Sequence, residues 1–119
     1  TTGNEYGGAI VGTVSGTSIS FGSATTFDNS VNTELAIAYD SSTQKVVVAY
    51  KDNVASGAPG KAIVGTVSGT SISFGSPVVF NAATADQNSI AYDVNSQKIV
   101  IAYKLSFFKI MKALTTERQ

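Results

Sequence analysis

The side chains able to do chemistry in this chain are carboxylates, amides, hydroxyls and phenols, because histidine, cysteine and tryptophan are absent from its 119 residues. Without a histidine, the serines have no imidazole base, which excludes the common acyl-transfer triads. Disulfides and the usual zinc, haem and iron–sulfur ligand sets are excluded with them. Paired carboxylates are the remaining catalytic route, as in glycoside hydrolysis. Asp40 and Asp93 occupy equivalent places in two copies of "IAYD". Both stand at turn positions, where an aspartate is expected to bond to nearby backbone. Asp28, Asp52 and Asp86 could hold calcium with loop carbonyls, but no Asp-x-Asp-x-Asp-Gly loop is present. No catalytic residue, metal or cofactor is therefore expected, and the chain reads as non-enzymatic.

Binding is the chemistry that remains. Three polar stretches rich in Asn, Asp, Gly and Ser read as long connections: Asp28–Glu34, Asn81–Gln87 and Asp52–Lys61. Loops on a rigid scaffold commonly carry binding. The ligand-binding candidates on this rim are Tyr6, Asp28, Asn29, Asn32, Asp52, Asn53, Asn81 and Asp86. Tyr39, Tyr50, Tyr92 and Tyr103 fall instead within apolar runs, where a phenol packs between sheets with its hydroxyl bonded. Tyr6, in a Gly-rich stretch, is the ring expected to be exposed.

The elements that position these groups come from an internal repeat. "AIVGTVSGTSISFGS" occurs at Ala9–Ser23 and again at Ala62–Ser76, an offset of 62 − 9 = 53. Sliding the chain by 53 pairs Thr1–Lys51 with Val54–Lys104 without a gap, and 27 of these 51 pairs are identical. "QKVVVAYK" at Gln44–Lys51 returns as "QKIVIAYK" at Gln97–Lys104. The residue types are strand types, and Ser15-Gly16 and Ser68-Gly69 mark tight hairpins. A second hairpin joins "LAIAYD" to "KVVVAYK" through Asp40–Gln44, and Asp93–Gln97 repeats it. Each repeat thus supplies four short antiparallel strands. Several are apolar on both faces, which implies cover on both sides rather than one.

Four-stranded sheets sandwiched between copies of themselves are the blades of a β-propeller. The predicted fold class is all-β, with two blade-equivalents per chain (1–53 and 54–104) and a non-repeat tail over 105–119. A β-sandwich or a β-solenoid is the competing architecture. "IAYD" is expected next to the central channel, since Ala36 and Ala38 suit the crowded axis. "KVVVAYK" comes second, "AIVGTVS" third and "SISF" outermost. The chain then holds one intact blade, about Leu35–Phe80, between two complementary half-blades, Ala9–Phe27 and Asn88–Lys104.

The units "GKAIVGTVSGTSISFG" and "IAYD…QKVVVAYK" resemble tandem-repeat β-propeller proteins of marine bacterial and environmental origin, largely of unknown function. The resemblance covers about residues 7–104. It implies the propeller fold and adds little about activity. The "YD" hairpin is also similar to the Asp-box of sialidase-type propellers but lacks its Gly-x-Thr-Trp ending, so no Asp-box role is carried over.

Two blade-equivalents cannot close a ring of four to eight blades. The expected partner is therefore the chain itself, as a homo-oligomeric ring in which half-blades complete each other. A trimer giving six blades is favoured over a dimer or tetramer. A fragment of a longer propeller is the alternative. In the tail, Phe107, Ile110, Met111 and Leu114 fall at helical spacing behind Ser106, predicting a short amphipathic helix. The formal net charge of zero points to no nucleic-acid or anionic-membrane partner. A chain starting at Thr1 without a basic-then-apolar leader fits a processed exported protein, a fragment or a trimmed chain. An extracellular or cell-surface setting is favoured. The expected function is binding or structural, with glycans the most concrete ligand class. A purely structural or adhesion repeat is the alternative, and a glycoside-processing enzyme the remote one.

Overall fold

Runs of Val, Ile, Thr and Phe broken by Ser-Gly and Asp-x-x-x-Gln fold as strands and turns. The computed structural model describes residues 6–105, and these residues contain nine strands and no helix. The strands are β1 (Tyr6–Ala9), β2 (Gly12–Ser15), β3 (Ser18–Phe21), β4 (Thr25–Asp40), β5 (Lys45–Asp52), β6 (Pro59–Ser68), β7 (Ser71–Phe74), β8 (Val78–Asp93) and β9 (Lys98–Leu105). Every pairing is antiparallel. The two-residue turns after Ser15 and Ser68 each place a glycine first, with φ of +61° at Gly16 and Gly69. A glycine adopts that left-handed conformation without the clash a Cβ brings, and its twist matches the flanking strands.

The middle of the chain forms the four-stranded unit expected from the repeat. The second half of β4 pairs with β5, β5 with β6, and β6 with β7, giving the inner, second, third and outer strands in order. The pairing β1 with β4 and β2 with β3 supplies third and outer strands of a preceding unit. The second half of β8 pairs with β9 and supplies inner and second strands of a following one. The all-β antiparallel architecture is thus compatible with propeller-like blades.

One expectation is corrected. Asp28–Glu34 and Asn81–Gln87 are not loops. Each lies inside a 16-residue strand, β4 or β8, that leaves one unit as its outer edge and enters the next as its inner strand. The first half of β4 pairs with β1 and its second half with β5, and β8 divides in the same way between β6 and β9. The polar composition reflects the crossover, where register slips between Thr33 and Ala36 and between Asp86 and Ser89. Glu34 (φ 59°) and Gln87 (φ 55°) sit in those bulges in the left-handed region. A bulge carries one extra residue and bends the strand, which lets a continuous strand change sheets. The third stretch is also shorter than expected, since β6 begins at Pro59. Leu105 closes β9, while the helix expected over Ser106–Leu114 lies outside the described residues.

The core sits at the seam between the first half-unit and the intact unit. Phe27, Val48, Tyr50 and Ile63 cluster there, with Ala9 and Phe74 packed against them. The Phe27 ring lies 5.2 Å from Tyr50 and 5.5 Å from Phe74, both tilted, a geometry that aromatic quadrupoles favour. The next seam repeats half of this motif, with Phe80 5.2 Å from Tyr103.

Candidate functional site

The carboxylates at the crossover end are each committed to a structural partner. Asp28, on β4, accepts a hydrogen bond from the Tyr50 hydroxyl at 2.7 Å and another from the Ser30 amide at 2.9 Å. Tyr50 is fully buried. Burial, the bond to Asp28 and the charges of Asp28 and Asp52 together push its phenol well above its ordinary range, so it stays neutral. Asp52, at the end of β5, is 2% exposed and pairs with the Lys61 ammonium at 2.7 Å. Its other oxygen accepts the amides of Val54 and Ala55, at 3.0 and 3.2 Å, and so forms the turn into β6. Burial opposes that charge, but the bonds from Lys61, Ala55 and Val54 and the Lys61 charge outweigh it. They hold the carboxyl below its ordinary value. Asp86 pairs with Lys51 at 2.6 Å, linking β8 of one unit to β5 of its neighbour.

The amides divide into two groups. Asn81 donates to the carbonyls of Ala83 (3.0 Å) and Thr84 (3.5 Å), and Asn32 donates to that of Asp28 (3.5 Å). Asn53 donates to the Thr33 hydroxyl at 2.8 Å. Asn29 is exposed at the β4 crossover. Tyr6 is 49% exposed and pairs with Val31, two residues further along the same strand. Tyr6 and Asn29 are thus exposed on two paired strands, β1 and β4, whereas Asn32 and Asp52 are buried and Asp28 is partly buried. Asn53 and Asn81 bond locally, at the β4–β5 pair and within β8, and Asp86 serves the seam between units.

Asp40 and Asp93 are turn residues. Asp40 accepts from the Ser42 amide (3.0 Å), the Ser42 hydroxyl (2.7 Å) and the Thr43 amide (3.2 Å). Asp93 accepts from the Asn95 amide (3.1 Å) and the Ser96 hydroxyl (2.9 Å). The Ser42 hydroxyl bond chiefly lowers the Asp40 pKa, and the Ser96 hydroxyl bond that of Asp93. A general acid for glycoside cleavage needs the opposite shift. Among the described residues, no group of three or more acidic side chains is placed to hold a metal ion.

Three contacts escaped sequence reasoning. The Glu34 carboxylate accepts the Gln87 amide at 3.0 Å, and the Glu34 carbonyl accepts from the Asn88 side chain at 3.2 Å. Tyr92 meets the Ser42 hydroxyl across the same seam. Glu34 and Gln87 are equivalent positions, 87 − 34 = 53 apart, so the repeat spacing was the available signal. Of the four strand tyrosines, Tyr50 is packed as expected, whereas Tyr39 is 55% and Tyr103 37% exposed.

A cavity of about 230 Å³ opens between the first half-unit and the intact one, lined by Ala9, Ile10, Phe27, Leu35, Ile37 and Val48 among others. Its walls are apolar and carry none of the candidate binding residues. Comparison with known proteins finds no matching family model, curated protein or solved structure.

Proposed function

We propose that the chain is a non-enzymatic β-propeller module that assembles with copies of itself into a ring and binds glycans weakly at each chain. Three copies would give six blades, within the four-to-eight range of such rings. The observation that carries the binding reading is the exposure of a phenol, Tyr6 on β1, and of an amide, Asn29 on β4, on two paired strands in which Tyr6 stands opposite Val31. A flat ring stacks on a sugar face while an amide bonds its hydroxyls. The second repeat has Pro59 and Ala82 at the equivalent positions, so the site occurs once per chain. A ring would multiply a weak site into useful avidity. Commitment of Asp28, Asp52 and Asp86 to structural bonds supports binding over catalysis.

The resemblance to tandem-repeat propellers of marine bacterial origin agrees with this proposal, as does an extracellular or cell-surface setting. The test is a glycan array probed with the assembled protein and with Tyr6→Ala. Binding that disappears in Tyr6→Ala supports the reading. No binding to any glycan overturns it in favour of a structural or adhesion repeat.

A further inference from the structure

Identical segments of this chain live in different environments. Ile63 is 1% exposed and Ile72 8%, yet their equivalents Ile10 and Ile19 are 49% and 54% exposed. Ala49 is fully buried on β5, and its equivalent Ala102 is exposed on β9. Phe74 packs on Phe27, while its equivalent Phe21 is 59% exposed. In each pair the more buried member belongs to the intact unit formed by β4, β5, β6 and β7. Among the described residues, β9 pairs only with β8, and β2 only with β3. An open apolar strand edge is a template for another strand.

Resting on the self-assembling reading above, we infer that β9 of one copy pairs antiparallel with β1–β2 of a second copy, in the register that β5 makes with β6. The internal pairing supplies that register. Val46 faces Gly65, Val48 faces Ile63, Ala49 faces Ala62 and Lys51 faces Gly60. Moving each pair by one repeat sets Ile99 against the second copy's Gly12, Ile101 against its Ile10, Ala102 against its Ala9 and Lys104 against its Gly7. Both surfaces are already known to fit. Ala9–Ser15 is identical to Ala62–Ser68, and β9 differs from β5 over the paired stretch only by Val-to-Ile changes at 99 and 101. Gly12 matters at the contact, because a Cβ at its equivalent Gly65 would stand 2.9 Å from Val46 Cγ2.

The same shift completes the aromatic seam. Phe27 touches both Tyr50 and Phe74, whereas Phe80 has Tyr103. The second copy's Phe21 takes the place on Phe80 that Phe74 takes on Phe27. The apolar cavity is covered by the copy bound at the other end, whose β9 pairs with β1–β2 of this chain. The strand β8 of that copy would lie beside β4 at Leu35 and Ile37, as β4 and β8 lie together within the chain, where Glu34 bonds to Gln87 and Asn88. The contact is head to tail, so repeated application gives a ring when the rotation per copy closes.

The absence of cysteine makes the register directly testable. Two double variants, Ala9→Cys with Ala102→Cys and Ile10→Cys with Ile101→Cys, place thiols at facing positions on opposite faces of the ladder. One of the two therefore falls on a closely spaced pair that disulfide geometry accepts. Mild oxidation should give covalent multimers of the 12.3 kDa chain, while Val11→Cys with Ala102→Cys, two residues out of register, should give none. Phe21→Ala should weaken self-association about tenfold or more, as loss of a central aromatic anchor does. Its circular dichroism should be unchanged, because Phe21 is exposed within the chain. Multimers that cross-link only out of register, or are indifferent to Phe21→Ala, overturn this interface but leave self-assembly standing. A wild-type chain that stays at 12.3 kDa at every concentration overturns both, and assigns the open edge to a different partner.

Discussion

Replacing Lys61 with methionine isolates the energetics of the one ion pair among the described residues that has a fully buried member. Asp52 is 2% exposed in its side chain and Lys61 21%. Breaking a buried pair by removing one partner costs about 3–5 kcal/mol, because the other charge is stranded. Two features reduce that here: Asp52 keeps the amides of Val54 and Ala55, and the Lys61 ammonium reaches solvent. A loss of about 2–3 kcal/mol is therefore expected for Lys61→Met. With a urea m-value of about 1–2 kcal/mol/M for a chain of this size, the unfolding midpoint should fall by about 1–2 M at fixed protein concentration. Asp52→Asn should cost only about 1 kcal/mol, since its amide oxygen can still accept from the turn and Lys61 can turn to water. The pH dependence follows from the lowered pKa of Asp52. A depressed carboxyl contributes stability that is complete above its unfolded value of about 3.9 and is lost as pH falls through its folded value. The gap between wild type and Lys61→Met should thus be constant from about pH 6 to 8 and narrow towards pH 3. A midpoint shift under about 0.5 M, or Asp52→Asn proving the costlier change, would refute the reasoning.

Four further outcomes are expected. Tyr50→Phe should lose about 1.5–3 kcal/mol, the worth of a hydrogen bond to a charged group, whereas Tyr103→Phe should fall within about 0.5 kcal/mol of wild type; equal losses would undo the Asp28 assignment. Gly60→Ala should destabilise by about 1–3 kcal/mol, because its Cβ would stand 2.5 Å from Phe80 Cζ and 2.7 Å from Ala85 Cβ; a neutral result in thermal unfolding would mean that the seam packs more loosely. Glu34→Gly should be more stable than Glu34→Ala by about 1 kcal/mol, since both lose the bond to Gln87 and only glycine relieves the left-handed backbone; calorimetry that ranks them the other way would refute the strain argument. Amide exchange in β2, β3 and β9 should slow as protein concentration rises while β5 and β6 stay protected throughout; protection independent of concentration would contradict assembly through these edges.

The repeat made the strand inventory and the order of the intact unit legible, because strand residues and Ser-Gly turns act locally. The crossovers were not legible. "DNSVNTE" and "NAATADQ" carry the polar, flexible composition of loops, yet each runs on as a strand because a bulge at Glu34 or Gln87 re-aims it. A non-glycine residue in the left-handed region has no reliable composition signal. Tyr6 and Asn29 were found from composition and are exposed as expected. Asp28, Asp52 and Asp86 were singled out for the same reason, but long-range partners at Tyr50, Lys61 and Lys51 absorb them. Those partners lie 22, 9 and 35 residues away in sequence, beyond the reach of local pattern.

The repeat is faithful on its packing faces and unfaithful at its seams, and the difference has an energetic meaning. Inside the chain, Lys51 of one unit meets Asp86 of the next, and Glu34 bonds to Gln87 and Asn88. Shifted by one repeat, Lys104 would face a second copy's Thr33, and Gln87 would stand where Glu34 stands. The seam between copies proposed above therefore keeps the apolar complementarity and lacks the ion pair and the anionic acceptor. Strand pairing and aromatic packing are common to both seams. The charged bonds, worth about 1.5–3 kcal/mol each where well formed, belong to the internal one alone. A ring built this way has strong and weak seams in alternation, and it would come apart into intact chains before any chain unfolds.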